Sequence, residues 1–313
     1  MAAPLLIHPG FHKTGTTWLQ RRVFGDSPCF ANLFTHDEVD EIFVRPGDFA
    51  FSADRAARLI AQRRDHAPGR TAVISSEILS GEIFTGSLRS GELARRLAEA
   101  TGGQAKILLT VRSQHAWARA FYIQYVKRGG RMPPDRYFTH RPEPGFAWFR
   151  LDQLQFGQLA DFYASQFGPQ NVLVLPQEWL LQDRTAWLAA LAGFAGLEPG
   201  ALAQCGADNQ REGWSPPVSG LWLTRVSNLF RQVPLNPGAV TAFAGVGHAL
   251  HALAYRWKFG EGTARARLDR AIAEHVPAVF AESNGALQRF CPVDLAPLGY
   301  QLADQAGRFN PGT

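Results

Sequence analysis

The segment at residues 5–20, LLIHPGFHKTGTTWLQ, constrains the fold of this chain more than any other. Leu5, Leu6 and Ile7 form a short apolar run. Gly10 and Gly15 free the backbone of a Cβ where it has to turn, and Thr16, Thr17 and Trp18 open a helix. The pattern predicts a buried strand that passes through a tight loop into a helix. A helix begun in this way presents unpaired N–H groups and the positive end of its dipole to the loop. Lys13 adds a full positive charge and the threonines add hydroxyl donors, so the expected occupant is an anion, above all a phosphate.

Farther along, apolar runs alternate with helical patterns. SADRAARLIAQRRDH at 52–66 places Ala56, Leu59 and Ile60 on one helical face, and TAVISSE at 71–77 reads as a short strand. SLRSGELARRLAEATG at 87–102 is a helix stopped by glycine, followed by AKILLTVR at 105–112, a near-continuous apolar run suited to a central parallel strand. A helix at 113–130 closes on two glycines, and a helix at 151–168, with Leu159, Phe162 and Tyr163 on one face, leads into the strand NVLVLP at 171–176. This is βαβ order, so the expected fold is a three-layer α/β/α arrangement, P-loop-like, around a central parallel sheet. One domain is expected over 1–313, with an α/β core at 1–200 and a mainly helical C-terminal part at 201–313. Ligands of such sheets lie outside the carboxyl ends of the strands. Three expected strand ends carry polar groups there: His8 through Lys13, Ser75-Ser76-Glu77, and Arg112-Ser113.

Composition narrows the function. The three cysteines, Cys29, Cys205 and Cys291, are far apart and lack metal-ligand spacing, so neither a disulfide framework nor a zinc site is suggested. A reducing compartment fits. The first strand begins almost at the N-terminus, leaving no space for a signal peptide, and a cytoplasmic protein is expected. A net charge of +5 admits nucleic acid as a partner, but the basic residues are scattered and form no stripe with interleaved aromatics. An anionic small molecule or an acidic glycan accounts for the charge equally well.

The nucleotide-triphosphate P-loop, GxxxxGK[ST], carries its lysine directly after the second glycine. Here the glycine spacing is kept, but Lys13 precedes Gly15 by two positions and Thr16 takes the lysine's place. In this variant, HKTGTTWLQ resembles the 5′-phosphosulfate loop of sulfotransferases that use 3′-phosphoadenosine 5′-phosphosulfate (PAPS). The resemblance implies that His12, Lys13, Thr14, Gly15, Thr16 and Thr17 bind the donor, and that Lys13 stabilises the leaving phosphate of the product, adenosine 3′,5′-bisphosphate. A glycine-rich loop of unrelated purpose is the bland alternative. VRSQHAWARAFYIQYVKRGG resembles the family's 3′-phosphate segment, in which an arginine at a strand end is followed eight residues later by a serine. Arg112 matches, whereas Ala120 stands at the serine position. Help for Arg112 is therefore expected from Ser113 or from a later arginine such as Arg211. AFYIQYVKRGG and ESNGALQRF…DLAPLGY are similar to bacterial members of the family that act on carbohydrates and other acceptors.

In this family the base is a histidine in some branches and a glutamate in others, and Glu77 in ISSEILS lies where such a base can stand. A carboxylate at a sheet edge beside Lys13 would stay ionised and accept a proton from a hydroxyl. The alternative is an ion pair with Lys13 or Arg112, and His8, His12 and His36 are rival bases. The resemblance implies an enzyme that needs no metal and takes a small-molecule donor and a hydroxyl- or amine-bearing acceptor, a glycan or glycolipid among the candidates. A P-loop kinase would need a magnesium-holding Asp at a strand end, which TAVISSE and AKILLTVR do not supply. An inactive nucleotide-binding protein is the other alternative. Residues 129–150 suggest an acceptor lid whose Tyr137, Phe138, Phe146 and Trp148 stack on sugars, or else a packed surface loop. Residues 238–259 suggest a buried helix, with an interfacial helix and peripheral membrane contact as the weaker reading.

Overall fold

The computed structural model describes residues 4–139, 149–206, 215–276 and 280–303. Among them are five strands, β1 (Leu5–His8), β2 (Phe30–Asn32), β3 (Thr71–Ser75), β4 (Lys106–Val111) and β5 (Val172–Pro176). They form one parallel sheet in the order β2-β3-β1-β4-β5. Because all run the same way, their carboxyl ends share one edge. From β1 the chain goes to the edge strand β2, returns to β3 between β2 and β1, and then crosses to β4 and β5 on the other side of β1, so the direction of progress reverses there. That reversal opens the crevice in which open α/β sheets hold ligands.

The strands are buried on both faces, as their near-continuous apolar runs require. Leu6, Val73, Leu108 and Leu175 point to one side, where Leu19, Val23, Phe24, Trp187, Leu188 and Leu191 cover them. Their sequence neighbours Leu5, Ile7, Ile74, Ile107 and Leu109 are buried toward the other. The helices Ala53–Asp65, Ser90–Thr101 and Phe156–Phe167 pack side by side as the second covering layer. Elements fall close to the sequence reading. Ser52 caps the first of these helices by accepting from Arg55 N at 3.3 Å, and Gly102, at φ 59°, ends the second. β2, only three residues long, carries too short a pattern to be read from periodicity. The helix opened at Thr16–Trp18 widens into a π-helical stretch over Leu19–Gly25, which periodicity also does not announce.

The chain divides into two compact units. The first comprises described residues within Met1–Ser113, Asp152–Glu212 and Ala278–Thr313, and contains the sheet. The second, within Gln114–Leu151 and Gly213–Pro277, is helical: Gln114–Lys127, Pro134–Thr139, Leu221–Ser227, Ala244–Arg256 and Glu261–His275. Its core is aromatic, with the Tyr125 and Tyr137 rings 4.4 Å apart. Buried Asn228 donates to Val126 O at 2.8 Å and Gly130 O at 3.0 Å, satisfying carbonyls at the end of the first of these helices.

Two sequence readings change here. Tyr137 and Phe138 are buried in this aromatic core, so neither ring is presented to an acceptor, while Phe146 and Trp148 lie outside the described residues. The helix Ala244–Arg256 was expected to be buried but is mostly exposed. Only Gly247 and Ala254 are fully buried and Ala244, Leu250, His251 and Tyr255 partly so, because the small residues let one side of the helix approach its neighbours closely while nothing among the described residues covers the other.

Candidate functional site

The loop after β1 rests on a buried polar network whose proton directions follow from its geometry. Thr14 Oγ1 donates to Phe11 O at 2.5 Å, so it accepts from Thr110 Oγ1 at 2.8 Å. Thr110, having donated, accepts from His8 Nε2 at 3.1 Å, which leaves His8 Nδ1 to accept from Ser75 Oγ at 2.8 Å. His8 is thus the neutral Nε2–H tautomer, in keeping with a pKa lowered to about 4 by burial, against a smaller opposing pull from Glu77. The network ties β3, β1, β4 and the loop together. Phe11 N adds a bond to Thr110 O at 3.1 Å.

Over this floor the backbone takes three left-handed steps, at Gly10 (φ 37°), Lys13 (φ 66°) and Gly15 (φ 89°). A Cβ at Gly10 would stand 2.5 Å from His8 Nε2 and 2.9 Å from Thr110 Oγ1, so only glycine fits. Lys13 has no such excuse, and its conformation costs about 1 kcal/mol or more. It is imposed from both sides by the pinned Thr14 and by Arg112, whose Nη1 donates to Lys13 O in a long hydrogen bond of 3.5 Å. Thr16 is buried and Thr17 exposed, so the two hydroxyls differ in access.

Glu77 stands immediately beyond β3, half-buried. Gln20, from the π-helical stretch, donates to Glu77 Oε2 at 3.1 Å. Burial raises the Glu77 pKa, but its own backbone N–H, the His12 imidazole, the Gln20 amide and His36 outweigh that, so the carboxyl sits below its usual value and is ionised at neutral pH. His12 Nε2 donates to Gly81 O at 3.1 Å, which commits that nitrogen to a structural bond. Its pKa is lowered to about 4, by burial first and in spite of Glu77. His36 Nδ1 pairs with Ser76 Oγ at 2.8 Å. The rival bases are therefore each engaged with the fold.

At the β4 and β5 ends the structure adds residues that the sequence reading missed. Glu178 accepts from Ser113 N at 3.0 Å through one oxygen and from Tyr300 Oη at 3.1 Å through the other. Burial, with Glu178 alongside, pushes the Tyr300 pKa well up, so the phenol remains a donor. Tyr300 is carried in by a C-terminal segment tied to β5 by Val174 N donating to Phe290 O and within itself by Asn284 Nδ2 donating to Gln301 O, both at 2.9 Å. Next to Glu178, the Gln177 amide nitrogen lies 3.4 Å from where a Gly15 Cβ would be, and its buried Oε1 has no hydrogen-bond partner among the described residues. Their one sequence signal is position, since Gln177-Glu178 follows an apolar run just as Glu77 and Arg112 do.

His12, Lys13, Thr14, Gly15, Thr16, Thr17, Glu77, Arg112 and Ser113 all belong to the first unit and gather at the carboxyl ends of β1, β3 and β4. Arg112 contacts the Lys13 backbone, and Glu77 is tied to the loop's helix through Gln20. Ala120 is half-buried in the helix Gln114–Lys127 of the second unit, and Arg211 lies outside the described residues. Among the described residues no three His, Cys, Asp or Glu side chains are grouped to hold a metal ion, and no helix is long and apolar enough to cross a membrane.

No protein-family model matches this chain, and no curated protein matches its sequence. Its backbone is similar to that of solved sulfotransferases. One is a sulfotransferase from Alicyclobacillus acidocaldarius, at 16% identity and TM-score 0.48, covering 85% of this chain and 100% of that one. Another is the sulfotransferase domain of the Synechococcus PCC 7002 olefin synthase, at 13% identity and TM-score 0.44, covering 88% and 96%. A third is the sulfotransferase domain from the curacin biosynthetic pathway, at 14% identity and TM-score 0.42, covering 68% and 79%.

Proposed function

We propose that this chain is a single-domain sulfotransferase that moves the sulfuryl group of PAPS to a hydroxyl or amine of an acceptor, a carbohydrate or glycolipid by preference. The observation that supports it most is the left-handed Lys13, locked between Thr14 and Arg112 in a loop between a strand and a helix, with an ionised Glu77 at the neighbouring strand end. A strained lysine in an anion loop beside a carboxylate suits transfer from an anionic donor.

In this reading His12 and the loop residues 13–17 cradle the 5′-phosphosulfate, and Arg112, with Ser113 and Arg211, takes the 3′-phosphate. The donor supplies an electrophilic sulfur with a phosphate leaving group. Glu77 accepts the proton of the acceptor hydroxyl as the new O–S bond forms in line with the breaking bond between sulfur and the 5′-phosphate oxygen. Lys13 and the N–H groups of residues 14–17 neutralise the charge that grows on that oxygen. No step uses a metal.

Calorimetry with adenosine 3′,5′-bisphosphate, AMP and ATP with magnesium tests the donor. Preference for the bisphosphate is expected. Preference for ATP with magnesium points to a kinase, and equal binding of bisphosphate and AMP removes Arg112 from the 3′-phosphate. Labelled PAPS offered to glycans, glycolipids and phenols then tests transfer, and tight binding without transfer to any of them or hydrolysis leaves a binding protein.

A further inference from the structure

The second unit carries a surface that the proposed chemistry does not use. On the helix Ala244–Arg256, Val246, Ala249, Leu253 and Arg256 recur at three- and four-residue spacing on one face, and all are exposed. That is the reverse of ordinary helix patterning, in which the outward face is polar. Around it the apolar surface continues. The helix Leu221–Ser227, which packs on it, exposes Trp222 and Val226 one turn apart. Val240 N bonds to Leu229 O at 3.2 Å, setting two more exposed apolar residues side by side. The Phe243 ring, 59% exposed, meets Phe230 at 6.2 Å. At the other end Trp222, Trp257 and Phe259 are linked ring to ring at 6.0 and 6.4 Å, and Phe259 is 84% exposed.

The charge on this stretch has one sign. Between Ser215 and Gly260 the sequence contains no Asp or Glu, whereas it contains Arg225, Arg231, Arg256 and Lys258. Arg256 and Lys258 are exposed and alternate with the aromatic Trp257 and Phe259. Large apolar side chains with cations at their rim complement a surface that is apolar within and anionic at its rim, and the carboxylate that follows the stretch, Glu261, is taken up by Val218 N, Ser219 N and Arg265. A bilayer with anionic headgroups has that profile. A second copy of the chain does not, because a symmetric contact through this face would set like charges together with no carboxylate of the segment to pair them.

We propose that this face docks on the surface of membranes containing anionic lipid. Phe243, Val246, Leu253 and Phe259 enter the boundary between headgroups and acyl chains while Arg256 and Lys258 meet lipid phosphates. The chain would lie on the bilayer, not span it.

The test is flotation of the full chain with vesicles of phosphatidylcholine alone and of phosphatidylcholine with about one-third phosphatidylglycerol, at low and high salt. Binding to the anionic vesicles, released by salt, is expected. Phe243→Asp with Leu253→Asp should abolish it, and Arg256→Glu with Lys258→Glu should weaken it by roughly tenfold or more. These positions are exposed, so unchanged circular dichroism and thermal melting are expected for the variants. Equal binding to neutral vesicles would overturn the role of the cations. Absence of binding to either vesicle overturns the proposal, and if sedimentation also shows a dimer that Leu253→Asp dissociates, the face belongs to a second copy.

Discussion

Two carboxylates stand at the same edge of one parallel sheet, Glu77 beyond β3 and Glu178 beyond β5, and their surroundings differ. Glu178 has each oxygen taken by a donor of the fold, Ser113 N and Tyr300 Oη. It joins the β4 end, the β5 end and the C-terminal segment. Glu77 accepts from the Gln20 amide and from its own backbone N–H, and is held ionised near the loop after β1. Both Glu178 oxygens tie separate parts of the fold together, which suits a strut, whereas Glu77 is held by the Gln20 amide and its own backbone N–H at a strand end beside the loop, where the proposed role as base would place it. Sequence position alone makes the two look equivalent. The hydrogen-bond inventory separates them.

The sharpest way to break the comparison is to neutralise each carboxylate. Glu77→Gln should lower sulfuryl transfer by roughly 10²- to 10⁴-fold with binding of adenosine 3′,5′-bisphosphate retained. If the rate persists and falls instead on changing His12 or His36, the base lies with an imidazole. Lys13→Ala should cost on the order of 10²-fold in turnover without unfolding the protein, and normal turnover in that variant would take the loop out of the chemistry.

A third experiment probes the floor that both corners share. His8 has a folded-state pKa near 4 against an ordinary 6.5, so the unfolded chain binds this proton more readily. The stability it contributes is complete above about pH 6.5 and declines as pH falls toward 4, by up to about 3 kcal/mol. Urea midpoints measured near neutrality and near pH 4.5 should show this decline, and His8→Gln should flatten it. A slope unchanged in that variant would place the acid sensitivity elsewhere.

The smallest effect is expected at the structural carboxylate. Tyr300→Phe removes one donor to Glu178 and should cost about 1 kcal/mol of stability. Transfer should change by less than about tenfold, with the change in donor KM and little in kcat. Loss of turnover with donor affinity intact, in Tyr300→Phe or Glu178→Gln, would mean that Glu178 also takes part in the reaction.

What was readable in advance follows the distance over which each signal acts. The strands β1, β3, β4 and β5, the glycine-stopped helix ending at Thr101 and the tight loop after β1 depend on neighbours a few residues apart. The short β2 and the π-helical stretch after Trp18 depend on packing against the sheet, and periodicity passed over both. The helix Ala244–Arg256 shows the same limit from the other side. Its run of small and apolar residues suits burial, but whether anything covers it is a property of the assembled unit.

The amino-acid sequence by itself determined the parallel α/β order and the strand–loop–helix that carries Lys13, because contiguous residues specify backbone turns, helix starts and buried strands. It also marked Glu77 and Arg112 as strand-end residues. Only the tertiary structure decided that Thr110 and His8 form the floor of the loop, and that Arg112 reaches the Lys13 carbonyl. The joining of Glu178, Ser113 and Tyr300 was settled at that level too. Those partners are separated by 65 to 122 positions along the chain. They meet because parallel strands with buried crossovers bring their carboxyl ends to one edge, and a hydrogen bond formed across such distances leaves no local pattern in the sequence.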